Sequence, residues 1–556
     1  MRKTNLIRKM SPEYADYLFD ESRTMGSADY IAFPANEAEL TEVVRWCAEN
    51  RMPLTAQGAL TGLAGGASPE RGLILNLQRM NRILGMRKDA DGTYYVRVQP
   101  GLRLAQLRRT LAMKAFDVEG WDKESVAALK EIRPGQLFFP PDPTEPTASL
   151  GGMASCNACG ARSVQYGCTR AHIHALRAVL ADGRITNLER GRQKAEGRKI
   201  RLPLTDGSML EAELPSFETP DIKDAGFFIR RNMDLLDLFI GSQGTMGIIS
   251  ELELKLMPAP KHLWGVTAFF PDDECALAYV RAVKGQPDQG VPRFPRRAAS
   301  IEFFDKNALD MVQRQKAVTP AFRQLQELPE NYCSAVYVEL NDDDPGEMPE
   351  VLAELSKVLK ATGGDPERTW VARDAMELEQ LLFFRHSVPE TIDLIVEENR
   401  KKEPCITILS TDMAVDDAHF DELFHIYKKD LQASDLPWII FGHIGENHVH
   451  PNILARDRRE YEQGHQIFEK WAGDVHRMGG SISAEHGAGK IKRRLALIMY
   501  GEERMRELYT LKQAFDPLCI LGPGNIFSAV KVLSDCPSSA LPVRPECSAV
   551  NGGERE

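Results

Sequence analysis

No run of about 18 apolar residues interrupts the 556-residue chain, so no membrane-spanning helix is expected. Basic residues are not in surplus. Lys and Arg number 69 against 80 Asp and Glu, a formal net charge of −11, which argues against nucleic-acid binding. Arg2, Lys3, Arg8 and Lys9 lead into no apolar core segment, so a secretory signal is not expected. Cysteine is sparse, with ten unevenly spaced residues. They read as reduced thiols of a cytoplasmic protein and not as a disulfide framework. Cys156 and Cys159 form one C-x-x-C with Cys168 nearby. An iron–sulfur cluster needs four thiolates, and no fourth is close, so the pair reads as small loop residues.

What remains is an ordinary globular composition, 43% hydrophobic and 27% charged. The length exceeds that of a typical domain of about 150 residues several-fold, so at least two folded units are expected. Short apolar strands alternate with amphipathic helices from about residue 30 to 260. Tyr30 to Phe33 reads as a strand ended by Pro34. Glu39 to Asn50 reads as a helix with Leu40, Val43, Val44 and Cys47 on one face. Leu54 and Thr55 begin another strand. The fold class is α+β. An N-terminal segment covers 1–25 and a first domain 26–258, with a polar insertion at about 187–225 and a boundary at Pro258-Ala259-Pro260. A second domain covers 259–530. It mixes strands (Ser334 to Leu340, Cys405 to Leu409, Trp438 to Phe441) with helices (Met348 to Lys360, Glu460 to Met478). Residues 531–556, rich in Ser, Pro, Gly and Glu, read as a disordered tail.

The 42 glycines gather in three places. The first is Gln57-Gly58-Ala59-Leu60-Thr61-Gly62, running on to Gly65-Gly66. The second runs from Pro140-Pro141-Asp142-Pro143-Thr144 through Ser149-Leu150-Gly151-Gly152 to Asn157-Ala158-Cys159-Gly160. The third is Gly241 to Ile249, with Gly244, Thr245, Gly247 and Ile249. None is a P-loop or G-x-G-x-x-G. Taken alone, the first could be an ordinary tight connection. Glycine costs backbone entropy, and three such clusters are explained by a bulky planar ligand lying against main chain.

In their order and content these loops resemble the flavin-binding domain of the vanillyl-alcohol oxidase (PCMH-type) superfamily. Within it they resemble the FAD-linked D-2-hydroxyacid dehydrogenases: D-lactate dehydrogenase, the FAD subunit of glycolate oxidase and D-2-hydroxyglutarate dehydrogenase. The likeness spans about residues 20 to 530. It implies a two-subdomain FAD-binding domain followed by an α+β FAD-linked oxidase C-terminal domain. Gln57, Gly58, Ala59, Leu60, Thr61 and Gly62 would then meet the FAD pyrophosphate region, with Ser149, Gly151 and Gly152. Asn157 belongs to the same cofactor-binding set. Gly244, Thr245, Gly247 and Ile249 would lie near the adenosine–ribityl part, and Pro141 and Thr144 near the flavin. Some relatives attach FAD through a His in the first loop. None stands between Gln57 and Gly66, so non-covalent FAD is expected.

Four of twelve histidines fall in two short segments. One is Gly442-His443-Ile444-Gly445-Glu446-Asn447-His448-Val449-His450-Pro451-Asn452, and the other is Ser483-Ala484-Glu485-His486-Gly487. Imidazoles and a carboxylate from two loops suit a divalent metal, Zn²⁺ or Mn²⁺ by ligand type. The alternative is hydrogen-bonded strand-end histidines. The segments resemble the family's G-H-x-G-D-x-x-x-H-x-N and S-A-E-H-G. That implies His443, His450 and Glu485 as metal ligands, Asn452 at the substrate and His486 as general base. Two positions depart: Glu446 stands where the family usually has Asp, and His448 where many relatives have Asn. On an extended segment His448 shares a face with His450, so the assignment between them stays open. Phe383 to Glu390 resembles the family's arginine segment, and Arg385 could hold a substrate carboxylate bidentately. Relatives often place a Lys just before the next strand's Asp, but Ser410-Thr411-Asp412 contains none. A small monocarboxylate is thereby favoured over 2-hydroxyglutarate.

The expected activity is oxidation of a D-2-hydroxy acid, D-lactate first, to the 2-oxo acid. Electrons would pass to a cytochrome, quinone or electron-transfer flavoprotein. A flavoprotein subunit serving as an electron relay is the alternative. The protein is expected in the cytoplasm, with peripheral membrane association a variant of that reading and a homodimer one option for assembly.

Overall fold

A computed structural model describes residues 5–222, 226–342 and 346–527. Three sheets organise it. In the first, Tyr30–Ala32 and Leu54–Gln57 run parallel to Leu73–Asn76, and Ile7–Lys9 adds an antiparallel edge. The crossover from Tyr30–Ala32 is the helix Glu37–Glu49. Asn36 caps it by accepting from the Glu39 amide at 3.0 Å, and the Glu39 carboxylate accepts from the Ala35 amide at 2.8 Å. Its buried stripe of Leu40, Val43, Val44 and Cys47 covers the sheet, as the periodicity predicts.

The second sheet is antiparallel, with strands in the order Ile83–Lys88, Tyr94–Val98, Ile248–Lys255, Ile173–Val179 and Ile185–Glu189. The polar stretch at 187–225 carries a hairpin, Lys199–Pro203 with Met209–Glu213. It buries Ile200, Leu202 and Leu210 on one side. Alternation in short, charge-rich strands hides this pattern. The third sheet has seven antiparallel strands, in the order Trp370–Ala372, His262–Phe270, Ser334–Asp342, Ser300–Asp305, Trp438–Gly442, His450–Ile453 and Leu409–Ser410. The helices Lys306–Val318 and Ala375–Arg400 close one of its faces around Phe304, Phe384 and Val388.

The strand expected over Cys405 to Leu409 shortens to Leu409–Ser410. Pro404 offers no amide and lies with Cys405 in a turn, so the strand begins only at Leu409. The last described residues return to the first sheet. The Leu54 amide donates to the Ile520 carbonyl at 2.7 Å, and the Gly522 amide donates to the Leu54 carbonyl at 2.9 Å. The tail expected from 531 onward lies outside the described residues. Among the described residues no helix is long and apolar enough to cross a membrane.

The reading of the cysteines as reduced thiols is corrected at one pair: Cys159 and Cys168 form a disulfide. Asn157, in the left-handed conformation after the helix Leu150–Cys156, turns the chain so that both cysteines face each other.

Candidate active site

All three glycine clusters open into one cleft, partly open to solvent. Its lining is largely main chain and small side chains, which suits a bulky planar ligand. Two glycines are required by geometry. A Cβ on Gly58 would lie 2.0 Å from the Ser149 hydroxyl, where the first and second loops touch. Gly487 has φ +75°, and a Cβ there would lie 2.7 Å from the Gln243 amide nitrogen. Leu60, at φ 65°, holds a left-handed conformation in the first loop without being glycine.

Glu485 and His486 line this cleft, although they come from the second half of the chain. Behind them His443, His448, His450 and Glu485 converge, one ligand-capable atom of each lying within 4.8 Å of the others. His443 closes the strand Trp438–Gly442, and His450 opens its antiparallel neighbour. Nε2 of His443 stands 3.3 Å from Glu485 Oε2, Nε2 of His450 stands 3.6 Å from the same oxygen, and Nε2 of His448 stands 3.6 Å from Oε1. Three buried imidazoles around one carboxylate match the donor set of a divalent cation. On their far sides, His443 Nδ1 meets Glu302 Oε1 at 2.6 Å and His450 Nδ1 meets the Thr411 carbonyl at 3.2 Å. Such outer partners fix ring orientation.

Burial alone would raise the Glu302 pKa, but Arg385 and His443 outweigh it and hold the acid at about 2. Burial alone would lower His443, but Glu302 and Glu485 together raise it to about 10, so without a cation this ring keeps its proton. His450 is pushed well below the ordinary imidazole range, first by burial and also by its neighbouring imidazoles, with Glu485 opposing.

His486 is held differently. Its backbone amide and that of Glu485 each donate to Asp412 Oδ2 at 2.9 Å, and the Ser483 hydroxyl donates to the same oxygen at 3.0 Å. Lys492 pairs with the other oxygen. Asp412 is fully buried and, against the cost of burial, Lys492 and His486 hold it far below the usual carboxylate range. The His486 ring stacks on that of His450, centroids 5.5 Å apart. Burial, only partly offset by Asp412, lowers its pKa and favours a neutral imidazole.

Of the residues expected at the cofactor, Gln57, Gly58, Ala59, Leu60, Thr61, Gly62, Thr144, Ser149, Gly151, Gly152, Gly244, Gly247 and Ile249 line the cleft. Pro141, Asn157 and Thr245 do not. The Pro141 carbonyl accepts from Arg108, Asn157 Oδ1 accepts from the Arg170 amide, and the Thr245 hydroxyl donates to the Ser242 carbonyl. These three support the loops from behind. Asn452 is buried on the strand with His450 and donates to its carbonyl at 2.8 Å. Arg385 is buried in the long helix Ala375–Arg400, its Nε 3.4 Å from Glu302 Oε2. Glu302 thus joins Arg385 to His443. Sequence reasoning missed Glu302, Asp412, Gln243 and Asn525. Asn525 ties the loops together, its Nδ2 donating to the carbonyls of Gly66 and Gln243 at 2.9 and 3.0 Å.

Known proteins share this organisation. Residues 28–119 and 125–189 match the FAD binding domain family, and residues 265–526 match the C-terminal domain of FAD linked oxidases. A D-lactate dehydrogenase of Anaerostipes hadrus is 28% identical over 525 residues, covering 92% of both chains. The glycolate oxidase subunit GlcD of Bacillus subtilis is 26% identical, covering 95% of this chain and 96% of its own. A 4-ethylphenol oxidase from Gulosibacter chungangensis shares the fold at a TM-score of 0.62 and 15% identity, over 94% of each chain. With both domain models matched in order, the chain carries the FAD binding domain and the C-terminal domain of the FAD linked oxidases and is an FAD-linked oxidoreductase of the D-lactate, glycolate and 2-hydroxyglutarate dehydrogenase type.

Proposed function

We propose that the protein oxidises a small D-2-hydroxy acid, D-lactate first, to the 2-oxo acid. The observation that carries this reading is the position of His486. An imidazole whose pKa is lowered by burial stands at the wall of the glycine-lined cleft, its ring stacked on that of His450. Bound FAD supplies the two-electron acceptor, and a bound divalent cation, Zn²⁺ or Mn²⁺, supplies positive charge that makes a hydroxyl more acidic. His443, His450 and Glu485 would hold that cation. Asn452 would face the substrate from the strand that carries His450. Arg385 would orient the carboxylate, its guanidinium fixed by Glu302. His486 takes the hydroxyl proton at Nε2, the ring nitrogen on the Glu485 side, while Asp412 keeps the loop in register. The carbinol hydrogen would leave as a hydride to bound FAD, and the two electrons would then pass to a cytochrome, quinone or flavoprotein, the proton of the reduced flavin being released to solvent.

Ser410 and Thr411 occupy the positions just before Asp412, so no lysine there offers a second carboxylate a partner. This favours a monocarboxylate, with glycolate the next candidate and 2-hydroxyglutarate after it. The test is anaerobic bleaching of the visible flavin band across D- and L-2-hydroxy acids. D-lactate is expected to bleach it, and bleaching by L-lactate but not D-lactate overturns the stereochemical assignment.

A further inference from the structure

We propose that His448 is a direct fourth protein ligand of the cation, so that the ion is held by three imidazoles and one carboxylate. The inference rests on the cation-assisted reading above and adds to it one further residue. His448 is fully buried, and its Nε2 lies 3.6 Å from Glu485 Oε1, the oxygen that His443 and His450 leave for it. Its ring meets those of His443 and His450 edge-on, with centroids at 5.1 and 5.5 Å. The backbone fixes this placement, because His448 pairs with Ala414 in an isolated antiparallel bridge, and Ala414 pairs in turn with Ser481. The same bridged segment thus sets both halves of the cluster.

A divalent cation among these groups would let each ring direct a lone pair at the same positive charge. Three nitrogens and one oxygen would favour a metal that accepts imidazole readily, such as zinc, over the oxygen-preferring manganese.

The experiment uses the full chain, loaded with FAD and stripped with a chelator. Co²⁺ is added to the wild type, and paramagnetically shifted, solvent-exchangeable imidazole N–H signals are counted by proton NMR. Zn²⁺ and Mn²⁺ affinities of wild type and His448→Asn are then measured by competition with a chromophoric chelator. The FAD-to-protein ratio reports the integrity of the variant. Three shifted signals are expected in the wild type. In the variant the Zn²⁺ affinity should fall at least about tenfold, more than the Mn²⁺ affinity, a loss as large as removal of an outer partner brings. Two signals in the wild type, or an H448N protein with Zn²⁺ affinity within about twofold of wild type, overturns the role of His448 alone. A wild type that takes up no divalent ion overturns the cation-assisted reading with it. The signal count needs no variant, so misfolding of H448N cannot obscure the answer.

Discussion

At Asp305 the carboxyl is fully buried, one oxygen accepting from the Ala308 amide at 2.8 Å and the Ile440 amide at 3.1 Å. Burial raises its pKa to about 7, although Lys428 and the two amides oppose. An unfolded aspartate titrates near about 3.9, so the folded chain holds this proton more tightly. Stability is full below about pH 4, falls as the pH rises through about 7, and stays reduced above it. A shift of this size corresponds to about 4 kcal/mol. Asp305→Asn keeps an acceptor for both amides and carries no charge. It is expected to stabilise the fold against urea at pH 8 by up to that amount and to leave it nearly unchanged at pH 4, and equal shifts at both pH values would contradict the assignment. His486 obeys a different logic, because its work concerns a proton in transit. His486→Ala is expected to lower turnover by about 10² to 10⁴-fold while FAD content, read from the visible spectrum, stays at the wild-type level.

At the scale of elements, the disulfide Cys159–Cys168 closes the loop that follows the helix Leu150–Cys156, and Cys159 lines the cleft. Closing a loop of this length contributes about 2–3 kcal/mol by restricting the unfolded chain. Cys168→Ser is expected to lose about that much stability in denaturant titration and to release FAD at lower denaturant than the wild type. Treatment of the wild type with a non-thiol reductant should reproduce both effects, and no change on reduction would show the bridge to be dispensable. The pair also marks where sequence reading stops. Local pattern made the helix Glu37–Glu49 and the strand Trp438–Gly442 legible, and glycine density made the three loops legible. The pairing of two among ten cysteines has no local signature. The same holds for Glu302 and Asp412, acids whose partners lie more than 70 residues away, His443 at a separation of 141 and His486 at 74. The histidine cluster was readable because its members stand within two short segments; its outer partners were not, because only the packed third sheet brings them there.

For the molecule as a whole, the cleft is built from both halves of the chain, and a few polar contacts hold the halves in register. Gln243 Oε1 accepts from the Gly489 amide at 2.7 Å, and the Lys490 amide donates to the Ala64 carbonyl at 2.8 Å. Asn525, nearly the last described residue, donates to Gly66 and Gln243 while its Oδ1 accepts from Lys490 Nζ at 2.7 Å. One side chain therefore touches the first glycine loop, the third glycine loop and the segment that follows His486. Buried hydrogen bonds of this kind contribute about 1 kcal/mol each, and more when one partner is charged. Asn525→Ala removes three at once and leaves the Lys490 ammonium short of an acceptor. FAD affinity, followed by recovery of flavin fluorescence on dilution, is expected to fall about tenfold to a hundredfold. The loss should exceed that of a substitution at exposed Leu518, which lies in the same returning segment but makes none of these contacts. If the two variants released FAD equally, the returning segment would act only as a cover, and the coupling of the halves would have to reside in the loops themselves.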